Sequence, residues 1–117
     1  MKVHRWWREG ACAVGVFPLL LGLQGCAQNG LGDPTGSKCP ADSTLTYQVY
    51  GQAFMQNHCV GCHGAFSTQE GVQASIDRID RAAAAGPDAV NTYMPDGEDL
   101  SESDRKKLGE WLACGAP

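Results

Sequence analysis

Five consecutive residues, Cys59-Val60-Gly61-Cys62-His63, constrain this chain more than any other feature. Two thiols separated by two residues fall on one side of a tight turn, and an imidazole follows at once. In a chain of this composition the pattern arises by chance about once in 130 sequences, so it is read as chemistry. Three chemistries use thiols at this spacing. Cys-x-x-Cys-His is an attachment signature for c-type haem, in which each thiol adds to a vinyl group as a thioether and the histidine lies under the iron. A redox dithiol has the same cysteine spacing but follows a strand in a βαβ setting, and no convincing alternating strand pattern occurs here. A tetrahedral zinc site needs a further ligand, for which Cys39 or Cys114 could serve.

The N-terminus reads as an export signal. Lys2, Arg5 and Arg8 give a basic start, and residues 11–23 then run without a charge. Thirteen residues are too few for a membrane span, which needs about 20. Leu23-Gln24-Gly25-Cys26 resembles a lipoprotein box and makes Cys26 the candidate lipidation site. Gly25-Cys26-Ala27 also fits an ordinary cleavage site, in which case Cys26 is discarded. The domain organisation expected is a signal at 1–25, a tether and flexible linker at 26–42, rich in Gly, Asn, Asp, Pro and Ser, and a folded domain at 43–117.

Charge narrows the partners. The chain has nine Lys/Arg and thirteen Asp/Glu. Lys2, Arg5, Arg8 and Glu9 leave with the signal, so residues 26–117 keep six basic and twelve acidic groups, a net charge of −6. That balance argues against nucleic acid, whose phosphates require basic residues. It favours a protein partner with a basic docking patch. A chain of this size buries only a modest core, which a large apolar cofactor would complete.

Helical periodicity dominates the rest, and the fold class expected is all-α. A first helix over 43–57 is capped by Ser43 or Thr44 and carries Tyr47, Tyr50 and Phe54 on one stripe. Gly51 inside it weakens the helix by about 1 kcal/mol relative to alanine, which the close approach of another helix would explain. A second helix over 71–85 places Val72, Ile76, Ile79 and Ala83 on one face, with Asp77, Arg78, Asp80 and Arg81 as a solvated, paired face, and ends at Gly86-Pro87. A third over 101–114 begins at Ser101 with Asp104 in a capping-box position, buries Leu108, Trp111 and Leu112, and stops at Gly115.

From about residue 46 to 112 the chain resembles a small class I cytochrome c. A helix carrying Gly51 leads into Cys59, Cys62 and His63; a middle helix, Met94-Pro95 and a last helix with Trp111-Leu112 follow. The resemblance implies a cytochrome c-like fold, three main helices with long loops around one covalent haem c per chain. In that family the glycine of the first helix lets the last helix cross it, and an aromatic of the last helix packs there; Gly51 and Trp111 match those roles. The second iron ligand in the family is usually a methionine on the loop before the last helix. Met94 occupies that place, whereas Met1 leaves with the signal, Met55 lies on the first helix and His58 adjoins Cys59.

Histidine and methionine on iron would raise its reduction potential and fill both axial positions. The function expected is therefore one-electron transfer between redox partners and not enzymatic catalysis, on the periplasmic side of a bacterial envelope, with a lipid anchor. A rival is a haem enzyme or gas sensor, peroxidase-like or ligand-binding, with Met94 off the iron. Cys39 and Cys114 remain; in an oxidising compartment, with the first and last helices crossing as in that family, they are expected to form a disulfide.

Overall fold

The structure, a computed structural model, describes residues 31–117. The expected signal and the Cys26 lipidation site lie outside the described residues. Among those described, no helix is long and apolar enough to cross a membrane.

The described chain is helical, with no named strand and one isolated antiparallel bridge between Ala85 and Val90. Helix α1 (Gln52–His58) is entered through a π-helical turn, Tyr47–Gly51. A 3₁₀ turn, Gly64–Ser67, precedes α2 (Gln69–Gln73) and α3 (Ile76–Ala83); α4 (Glu102–Ala113) closes the chain.

Three expectations from periodicity are corrected. The first helix starts at Tyr47, capped by Thr46, whose side chain accepts from Val49 N–H. Ser43 does not cap it, because its hydroxyl donates to Glu110 Oε1 of α4 at 2.6 Å. The middle helix is two helices. Ser75 leaves helical geometry (φ −129°, ψ 15°) and its N–H bonds Val72 O, a tighter turn than the α-helical one. The apolar spacing runs unbroken across this joint, so periodicity does not reveal it. Helix α3 then ends at Ala83, three residues ahead of Gly86, as Ala84 turns extended.

The last helix forms as its sequence dictates. Ser101 Oγ accepts from Asp104 N–H at 3.0 Å, which meets one of the orphan donors of the first turn. The Asp104 carboxylate accepts from the Ser101 hydroxyl at 2.7 Å and does not reach back to the cap's own N–H, so half of a capping box is present. At the other end Gly115 adopts φ +88°, a conformation that favours glycine. Gly115 N–H then bonds Leu112 O and Ala116 N–H bonds Trp111 O, the paired bonds of a Schellman stop.

The core lies where the π turn and α1 meet side chains of α4. Met55, Leu108 and Trp111 are fully buried, joined by Phe54, Leu112, Val72 and Ile79. A Cβ at Gly51 would overlap the Trp111 ring. The glycine therefore admits the tryptophan, at the turn where the helix widens to i→i+5 bonding between Gly51 N–H and Thr46 O. Cys39 and Cys114 are joined by a disulfide, with Cα atoms 4.7 Å apart, which pins the segment before α1 to the end of α4.

The expected flexible linker is also corrected over its described part. Residues 31–42 belong to the same compact unit as the helices. Thr35 is buried, and both its N–H and its hydroxyl donate to the Asp80 carboxylate, at 2.9 and 2.6 Å. Gly32 N–H bonds Arg81 O, and Asn91 Nδ2 donates to Asp33 O. Asp80 thus anchors this strap and is not part of a solvated ion-pair face, whereas Arg81 does pair with Asp77 at 3.2 Å. Small polar residues suggest a linker by composition, but here their donors meet a carboxylate and main-chain carbonyls.

Candidate functional site

Cys59, Cys62 and His63 are gathered at the end of α1. Cys59 is the cap of that helix, its N–H bonded to Met55 O. The chain then folds back on itself: Cys62 N–H and His63 N–H both donate to Cys59 O, at 3.2 and 2.9 Å. One carbonyl thus organises two thiols and an imidazole into a single turn. Cys59 is half-buried and Cys62 exposed, and both are free thiols, whereas Cys39 and Cys114 are bonded to each other. Burial, with the Glu98 carboxylate adding to it, pushes the Cys59 thiol up to about 11.

His63 is exposed, and its ring stacks on Phe66 with centroids 5.3 Å apart. Among the described residues its ring nitrogens engage no hydrogen-bond partner. Val60 and Phe66, which flank Cys62 and His63 in sequence, and Cys59 itself are partly buried and pack against the core, whereas residues 61–65 are exposed.

Met94 stands on a separate loop between α3 and α4. Its side chain is on the surface, beside exposed Tyr93 and Val90. Its backbone is fixed at both polar atoms: the N–H donates to Ala82 O at 2.9 Å, and the carbonyl accepts from Arg105 Nη1 at 2.7 Å. The Met94–Pro95 peptide is cis and Gly97 has φ +75°. The loop reaches the cysteine turn through Glu98, whose carboxylate meets His58 Nδ1 at 2.5 Å. His58 also lies against Phe54, with ring centroids 4.9 Å apart. This keeps it on the α1 side of the site, engaged with Glu98.

The polar supports of the loop escape a reading by residue type. Arg105 is buried at 3% exposure, and its Nη1 donates to the carbonyls of Ala83, Asn91 and Met94. Asn91 is buried too, its amide bridging Asp33 O and Asp80 O. A signal for Arg105 existed in the sequence: it stands three and seven residues before Leu108 and Leu112, on the apolar stripe of α4. A charge at such a position marks a buried cation with partners waiting.

The donor set fits a covalently held haem. Two free thiols in one turn, an unengaged imidazole beside them and an exposed thioether on a loop bonded at its backbone are the groups it would use. The donors fit zinc less well, since Cys39 and Cys114 are spent on each other. Among the described residues no three of His, Cys, Asp and Glu converge as a metal site would require. A redox dithiol draws its reactivity from a lowered thiol pKa, and that of Cys59 is raised. No known protein family, curated protein or solved structure matches the chain.

Proposed function

We propose that this chain is a single-haem electron carrier of the cytochrome c kind. Cys59 and Cys62 would hold haem c by thioethers, and His63 and Met94 would ligate its iron. The observation that carries the reading is the turn at the end of α1, where two free thiols and an unengaged imidazole share one carbonyl anchor.

The bound group supplies reversible one-electron chemistry. The chain's own residues do the rest. Val60 and Phe66 put partly buried apolar surface on either side of Cys62 and His63 in the chain. His63 is oriented by its place in the turn and by Phe66. Met94 is presented by a backbone bonded at both polar atoms, which would hold its sulfur in place for the bound group. Glu98 and His58 hold the methionine loop to the cysteine turn. The acidic surface suits a redox partner with a basic docking patch. Export and a lipid anchor at Cys26 would place the carrier on the periplasmic side of a bacterial membrane.

Expression of the full chain in cells able to attach haem c tests the reading. The mature polypeptide should gain the mass of one haem, and changing both Cys59 and Cys62 to alanine should abolish the gain. The reduced native protein should not bind carbon monoxide, and Met94→Ala should allow it. No covalent haem on the unaltered chain would overturn the proposal. Ready carbon monoxide binding by the unaltered protein would instead favour an enzyme or sensor with an open axial site.

A further inference from the structure

We propose that Arg105 is a positioning residue that keeps Met94 on the iron. The inference rests on the haem reading above and extends it to a residue that bonds Met94 through its main-chain carbonyl. A guanidinium buried at 3% exposure is expected to pair with a carboxylate. Among the described residues Arg105 pairs with none. Its Nη1 points instead at three main-chain carbonyls: Ala83 at the end of α3, and Asn91 and Met94 in the loop, at 2.8, 2.8 and 2.7 Å. Its own carbonyl accepts from Ala85 N–H at 3.0 Å. One residue of α4 thus fastens the end of α3 and both ends of the 91–94 segment.

The arrangement suits a ligand loop. A methionine bound to iron competes with water and with added ligands, and a loose loop would let it leave. The Met94 side chain faces outward and gains little from core packing, so its position depends on the backbone. That backbone has two fixed points, Ala82 O and the Arg105 guanidinium. Charged donors make stronger hydrogen bonds than neutral ones, and the three carbonyls converge on one nitrogen, Nη1, whose place is set by the rigid guanidinium plane. A lysine would keep the charge on a flexible stem without that plane.

The test uses the full haem-loaded chain and added imidazole, which binds only where the methionine has left. Apparent affinity for imidazole scales with the population of the open state, so Arg105→Met should tighten it by about tenfold or more. The midpoint potential should fall, because methionine ligation raises it. Arg105→Lys should lie between wild type and Arg105→Met on both readouts, with imidazole affinity at least about threefold above wild type. A purely structural role would lower the urea midpoint and leave both readouts where they were. Values for Arg105→Lys within twofold of wild type on imidazole, with no change in potential, overturn the inference, and this variant decides alone if Arg105→Met does not accumulate. Met94→Ala is the reference: if it leaves imidazole affinity unchanged, the methionine ligand and the role of Arg105 fall together, while haem attachment at Cys59 and Cys62 stands. If the unaltered chain carries no haem, the whole reading fails.

Discussion

The packed core and the Met94 loop are built on opposite principles. In the core, apolar bulk fills space: Trp111, Met55 and Leu108 are fully buried. Polar loose ends are tolerated there. Among the described residues Tyr50 Oη and Trp111 Nε1 are buried without a hydrogen-bond partner. On the loop side the apolar groups Tyr93, Met94 and Val90 face outward, and polar atoms do the holding. Thr35, Asn91 and Arg105 are buried and satisfied by Asp80 and by main-chain carbonyls. Packing energy depends on volume and fades gradually with small displacements. Hydrogen bonds to fixed carbonyls specify position. A scaffold can rest on the first, and the proposed ligand loop would benefit from the second.

The comparison is broken most severely by opening the disulfide. The bridge spans 75 residues, and replacing Cys39 and Cys114 by alanine should lower stability by about 4 kcal/mol on chain-entropy grounds. Urea unfolding measures this. Since the bridge lies on the scaffold side, the folded fraction should keep its imidazole affinity and potential. Gly51→Val comes next, because its side chain must enter space that Trp111 fills. The expected loss is about 3 kcal/mol. The same change beside Trp111→Leu should lose clearly less, and equal losses in the two backgrounds would mean that the glycine is there for another reason.

What the sequence reveals follows the same division. The stripe Leu108, Trp111, Leu112 and the glycine at 51 are legible because packing leaves a periodic trace. The cysteine turn is legible because two thiols and an imidazole within five residues seldom fall together by chance. The strap at 31–38 is not: Gly, Asp, Pro, Thr and Ser look like a linker until a distant Asp80 supplies acceptors, and no local pattern predicts a partner 45 residues away. The break at Ser75 is hidden because the apolar residues keep their register through it. Arg105 is half legible. Its place on the apolar stripe marks it as odd, while its three acceptors come from loop geometry that periodicity does not describe.

Asp80 gives a smaller and more local test. Asp80→Ala removes the acceptor of both Thr35 donors, one of them from a buried hydroxyl, and should cost about 2 kcal/mol. Amide hydrogen exchange should quicken at Thr35 and Asn91 before it quickens in α4, because the strap and the loop share Asp80 and Asn91 as their joint. Uniform acceleration through α4 would mean that strap and scaffold open as one unit.

The smallest effect belongs to Ser101, which sits where the loop side hands over to the packed side. Ser101→Ala removes the cap of Asp104 N–H and should lower stability by about 1 kcal/mol, with Ser101→Gly losing only a few tenths. Urea midpoints at constant m-value read this directly. The cap lies seven residues after Met94 and four before Arg105, so the variant also asks how far fraying of the first turn of α4 travels. If the guanidinium holds the loop, imidazole affinity should stay at the wild-type value while stability falls. Imidazole binding as tight as in Arg105→Met would show that the first turn itself holds the methionine, and the hydrogen bonds of Arg105 would then be a consequence of that turn.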